Sequence, residues 1–270
     1  MINRKSIFDI ERRINLQEEH IKLVEHMNVS TVLSDFGFKT SFYYYINESV
    51  KTWKHRGSAF NIKQYVDAIT YCDAESLEDY TDEETICCLE LYLNLIIFAV
   101  KGLNTSGWTT NDRITFNSIA KRIIENIDYV LEHVNMRYYE QEDRVIICKR
   151  DCDVDSVLEI NPEISDVLLE YLDFRNSEDI SFKKEALIQI ANYIEPKRAK
   201  FSQLNNKLCD TLFYAFNSFG IRHNNEKQIV FESKEKQMKT YDKIFKMALH
   251  LLRSDEVKEY TKEIELYKKN

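Results

Sequence analysis

The chain has 270 residues, of which 44% are hydrophobic and 30% charged, but only two are prolines and five glycines. Average usage would supply roughly 13 prolines and 19 glycines at this length. The turn residues that a sandwich, barrel or propeller of many short strands demands are therefore missing. Collagen-like and Gly/Pro-rich disordered classes fall with them. The composition predicts an all-α helical bundle with long elements, and 12% aromatic residues supply its core.

In chain order, Ile7, Ile10, Ile14, Ile21 and Val24 fall on one stripe and predict an amphipathic helix to about Met27. Ser34 to Gly37 is a break, followed by the aromatic run Phe42-Tyr43-Tyr44-Tyr45, read as core rather than a base-stacking platform. Phe60, Ile62, Tyr65, Val66 and Ile69 suit a further helix. Thr81-Asp82-Glu83-Glu84 is a capping box before the most apolar stretch, Ile86 to Val100. Glu90 and Asn94 interrupt that stretch, so it reads as a buried helix and not a membrane span. A loop over 103–110 precedes a helix capped by Asn111 or Asp112 and running to about Val134.

Arg144 to Lys149 is short and β-branched, which predicts one β-hairpin near 138–150. Helix returns over 154–172 with a restart at Asn161-Pro162, then near 181–194, 197–217 and 235–252, with a charged last helix near 255–268. The expected division is a helical N-terminal domain over 1–140 and a second helical domain over 141–270. Met1 to Arg13 lacks a signal-peptide core, so the expectation is a cytoplasmic protein with reduced cysteines and no membrane partner.

The net charge of −8 conceals an asymmetry: residues 1–182 carry 19 Lys+Arg against 33 Asp+Glu, and residues 183–270 carry 18 against 12. A basic final third is a candidate polyanion-binding segment. Asp151-Cys152-Asp153-Val154-Asp155 begins like a calcium loop, but Ser156 and Pro162 stand where the Gly and the bidentate Glu belong, so it reads as an acidic helix start. Neither Cys87-Cys88 nor Cys148 and Cys152 gains a full zinc set, and no metal or cofactor is expected. His20 and His26, six apart, read as solvated or core histidines. Glycine-rich phosphate loops are absent from the sequence, which removes kinase and dehydrogenase readings.

One segment concentrates chemistry: Gly220-Ile221-Arg222-His223-Asn224-Asn225, between two long helices. Arg222 offers a planar fork for a phosphate and His223 a group that titrates near neutrality. The same residues could instead cap the helix ends that meet there.

The Gly220-Ile221-Arg222-His223 element, late in a helical chain, resembles the GIRH element of bacterial abortive-infection proteins, whose C-terminal domains belong to the HEPN superfamily. The resemblance covers about residues 140–255. It implies a helical bundle, a metal-independent endoribonuclease active site formed across a homodimer, RNA as partner and a role in phage defence. By the resemblance Arg222 steadies the phosphate and His223 is the polar residue after it; the expected catalytic residues are Arg222 and His223, the latter or the more distant His250 standing in for the family's second His, with Asn224, Asn225 and Lys227 against the substrate. The family's second His is due at 227–229, where this chain has Lys227, Gln228 and Ile229. The competing expectation is a non-catalytic interaction or oligomerisation module.

Overall fold

The computed structural model describes residues 14–33, 39–70, 77–102, 110–142, 144–222 and 228–254, with 260, 264, 265 and 267. The chain is predominantly helical and divides into two units, 1–147 and 148–270. The expected boundary lay near 140–155, at the strand; the division falls inside the second strand of the expected hairpin.

The first unit begins with α1 (Leu16–Val29), capped by Asn15, whose side chain accepts from the Glu18 amide. Its buried stripe is Leu16, His20, Leu23 and Met27. The expected stripe, Ile14, Ile21 and Val24, is only half-buried. Counting aliphatic residues alone rotated the helix, because a histidine occupies a core position. Residues Ile7 and Ile10 of that stripe, the break at 34–37 and the 103–109 loop lie outside the described residues.

Two three-residue strands, β1 (Thr31–Leu33) and β2 (Lys39–Ser41), pair antiparallel with Thr31 opposite Ser41. They were not expected, since three residues are too few for an alternation to show. Helix α2 (Phe42–Ser49) follows, with Phe42 and Ile46 fully buried and Tyr44 exposed. Phe42 meets Phe116 at a ring-centroid distance of 4.8 Å, and Tyr45 meets Phe116 edge-on at 6.1 Å. The tyrosine run is thus partly core. Helix α3 (Ile62–Thr70) buries Ile62 and Val66.

Helix α4 (Asp82–Gly102) is the centre of this unit. The Thr81 box is closed in both directions: the Glu84 amide donates to Thr81 Oγ1 at 3.2 Å, and the Thr81 amide donates to Glu84 Oε2 at 2.7 Å. Among the described residues α4 alone has the length and apolarity to cross a membrane, and 61% of its most apolar window is buried inside the fold. Helix α5 (Thr110–His133) packs against α4 and buries Phe116, Ile119, Ile123 and Ile127. It begins at Thr110, so Asn111 and Asp112 lie in its first turn instead of capping it.

Strands β3 (Met136–Gln141) and β4 (Arg144–Lys149) form the expected two-stranded sheet. A two-stranded sheet leaves an edge of unpaired backbone groups, and α4 supplies their partners. Asn94 Oδ1 accepts from the Val145 amide at 2.8 Å while Asn94 Nδ2 donates to the Val145 carbonyl at 2.9 Å. Glu90 Oε2 accepts from the Ile147 amide at 2.7 Å. The spacing matches: four residues of helix rise about 6 Å and two residues of strand about 6.6 Å.

The second unit contains α6 (Cys152–Ile160), α7 (Ser165–Leu172), α8 (Ile180–Ile194), α9 (Arg198–Ser218) and α10 (Lys234–Leu252). Asp151 caps α6, accepting from the amides of Asp153 and Val154. Pro162 opens a short 3-10 turn before α7, and Pro196 sits in another before α9. Helix α9 breaks at Asn205, whose backbone leaves the helical region and whose side chain accepts from the Leu208 amide at 3.1 Å. Asn205 therefore ends one helical segment and caps the next. The charged helix expected near 255–268 falls largely outside the described residues.

Helix α10 packs on α8 and α9. Tyr171 stacks on Phe245 with centroids 3.9 Å apart. Lys183, only 7% exposed, donates to Asp242 Oδ1 at 2.7 Å, and the Tyr171 hydroxyl donates to the same oxygen at 2.9 Å. Burial and the Asp242 carboxylate keep the Tyr171 phenol protonated, far above its ordinary pKa.

Replacing Asn94 by Leu would leave the Val145 amide and carbonyl buried and unpaired. We expect Asn94→Leu to cost about 2–4 kcal/mol in urea denaturation, whereas a loss below about 1 kcal/mol would mean the edge is closed by other groups. In the second unit, Asp242→Ala should cost about 2–3 kcal/mol by stranding the Lys183 ammonium, while Lys183→Met should cost under about 1 kcal/mol, since it removes charge and desolvation together. Equal losses in the two variants would contradict this.

Candidate functional site

The expected site lies where α9 ends. Gly220 takes a left-handed conformation, φ +70°, that stops the helix, and a Cβ there would stand 2.9 Å from Gln228 Oε1. The Arg222 amide donates back to the Phe216 carbonyl at 3.0 Å, and the Ile229 amide donates to the Ser218 carbonyl at 2.9 Å. Ile221 is buried, and Phe219 stacks on Phe231 with centroids 5.5 Å apart. Both ends of the connection from α9 to α10 are thereby pinned.

The Arg222 side chain is 16% exposed, and its Nη2 donates to Glu195 Oε2 at the end of α8; that carboxylate is 48% exposed. Gln228 Nε2, beside Gly220, is buried with no hydrogen-bond partner. Of the expected site residues, Arg222 is described. His223, Asn224, Asn225 and Lys227 lie outside the described residues. Glu195 was missed, because 27 residues separate it from Arg222 and only its neighbour Pro196 gave a signal.

The structure also changes what the basic final third means. The second unit, residues 148–270, carries 21 Lys+Arg and 22 Asp+Glu. Three of its cations pair with acids of residues 151–163. Lys246 donates to Asp151 at 2.5 Å and approaches Asp153 at 3.5 Å, Arg253 pairs with Asp153 at 2.6 Å, and Lys197 pairs with Glu163 at 3.4 Å. The acidic helix start that resembled a calcium loop is thus tied to α10. No group of three or more His, Cys, Asp or Glu among the described residues could hold a metal ion, and the described cysteines are free thiols.

A second concave site, unforeseen, lies in the first unit. A cavity of about 260 Å³ is lined by residues of α1, α4 and α5, among them His20, Leu23, His26, Leu89, Asn126 and Tyr129. His20 is 1% exposed, with Nε2 3.1 Å from the Tyr92 hydroxyl and its ring against Tyr80 and Tyr92. Burial lowers its pKa to about 4. His20 Nδ1 and His26 Nε2 are buried without hydrogen-bond partners. No sequence spacing announces this site, since it exists only once α1 and α5 pack together.

Comparison with models of known protein families, with curated proteins and with solved structures finds no match to this chain.

The His20 shift fixes a pH dependence. Its folded pKa of about 4 lies below the unfolded value of 6.5, so the unfolded chain binds the extra proton between these limits and stability falls as pH falls through that window. The full effect is about 3 kcal/mol. Urea denaturation of wild type and His20→Gln from pH 7 to 4 should show the variant losing a slope of about 1.4 kcal/mol per pH unit. Parallel profiles would mean His20 is already charged in the fold.

Proposed function

We propose that the second unit is a HEPN-like helical module that engages RNA at the corner between α9 and α10, with Arg222 as the group that meets phosphate. The observation that carries this reading is a guanidinium held against Glu195 at the end of α9, with its side chain 16% exposed. Gly220 and the Arg222–Phe216 backbone bond fix the main chain that carries it. A guanidinium has five N–H donors in a plane, and Glu195 engages Nη2. The remaining donors suit phosphate oxygens. The resemblance of Gly220 to His223 to the GIRH element supports the same assignment.

Charge balance within the unit argues for a local contact instead of a broad electrostatic face, so the salt dependence of binding should be shallow. Cleavage would need a general base as well as Arg222. With Lys227, Gln228 and Ile229 where the family's second His is due, RNA binding is proposed and hydrolysis is not. Abortive infection is the setting the resemblance suggests.

A second reading has its own support: the Arg222–Glu195 ion pair braces α8 against the corner, as a non-catalytic interaction module would need. Fluorescence anisotropy with a single-stranded RNA oligomer separates the two. If Arg222 meets phosphate, Arg222→Ala weakens binding about tenfold or more, and Glu195→Gln strengthens it by releasing the guanidinium. If the wild-type chain retains no RNA, or both variants lower Tm and neither alters RNA affinity, the brace is the function of the pair.

A further inference from the structure

We propose that α9 is a hinge at which two copies of this chain exchange their C-terminal helices, giving a dimer in which α9 is one continuous helix. The observation is a reversal inside α9. Arg198 Nη2 stands 3.6 Å from Asp210 Oδ1, and its guanidinium lies over the Phe213 ring, 4.4 Å from the centroid. Ser202 Oγ donates to Cys209 Sγ at 3.3 Å, and that thiol donates to the Arg198 carbonyl at 3.8 Å. A straight helix would separate residues 198 and 210 by about 18 Å along its axis, and 198 and 213 by about 22 Å, beyond the reach of these side chains. The segment 198–204 is therefore folded back on 206–218, and Asn205 is the one residue between them whose backbone is not helical.

Only the asparagines at 205 and 206 favour that reversal. From Arg198 to Ser218 the chain has no glycine and no proline, and Gln203, Leu204, Lys207 and Leu208 on either side are good helix formers. The stretch thus has two ways to fold: bent, with Asn205 capping the second segment through the Leu208 amide, or straight, with the helix running through. The straight form carries α10 away from α8, on which it packs, and leaves both faces uncovered. A second copy in the same state supplies the face that each has lost. Arg198–Asp210, Lys183–Asp242 and Arg222–Glu195 all span the hinge, so each forms again between the two chains. The exchange keeps these contacts and removes the bend. Lost freedom of association opposes it, so protein concentration sets the balance. A connection too short to act as a loop is a known invitation to such an exchange.

The test is size-exclusion chromatography with light scattering on the full chain over a concentration series, before and after brief warming near Tm. The wild-type chain should give a monomer and a slowly interconverting dimer. Asn205→Ala removes the cap and favours the straight helix, so it should raise the association constant about tenfold or more. Asn206→Pro should abolish the dimer and leave Tm unchanged, because proline suits the first position after a helix cap and cannot stand inside a continuous helix. Ser202→Cys sets a second thiol beside Cys209. Its oxidation should close a disulfide within one chain in the monomer and link two chains in the dimer, as read by non-reducing electrophoresis. A wild-type chain that is monomeric at every concentration, a dimer that survives Asn206→Pro, or a Ser202→Cys dimer whose disulfides stay within each chain would overturn the proposal.

Discussion

A helical unit that carries polar groups into its interior must find each of them a partner, and much of this structure is arranged to do so. The first unit shows the constraint most plainly. Helix α4 is apolar enough to be taken for a membrane segment, yet Glu90 and Asn94 sit one turn apart within it and close the open edge of β4. Without them the strand would present backbone donors and acceptors to a hydrophobic neighbour. With them, a short two-stranded sheet becomes part of a helical core, and the rest of α4 is free to pack Leu91, Leu93, Leu95 and Ile96.

The second unit meets the same constraint by other means. Lys183 is drawn in by its aliphatic stem, passes over the Tyr171 ring and ends on Asp242. Asp151 and Asp153 answer Lys246 and Arg253. These pairs explain why a chain with a basic end and an acidic body does not yield a basic domain: the acids of 148–182 and the bases of 183–270 belong to one unit. Exceptions remain among the described residues: His20 Nδ1, His26 Nε2, Thr85 Oγ1 and Gln228 Nε2 stay buried without hydrogen-bond partners.

Much of the architecture was legible because it rests on local chemistry. The Thr81 capping box, the restart at Pro162, the boundary at Pro196 and the Gly220 stop each act within a few residues, and each appears where the residues place it. The β3–β4 hairpin was readable from its β-branched run. What escaped depends on distance. The buried face of α1 includes His20, a residue no hydrophobic count selects. The break in α9 hinges on one Asn side chain turning back on its own backbone. Glu195 reaches Arg222 only in the folded bundle, and the cavity is a product of packing. The candidate residue Arg222 was visible in the sequence; the partner that decides its chemistry was not.

The proposed meeting of nucleic acid with the corner after α9, and not with a diffuse charged face, has a direct test. Amide hydrogen exchange with and without a single-stranded RNA oligomer addresses this directly. The account predicts new protection confined to the end of α9, residues 228–231 and the end of α8 around Glu195, with exchange in the first unit unchanged. Protection spread over α10, confined to the first unit, or absent altogether would contradict it.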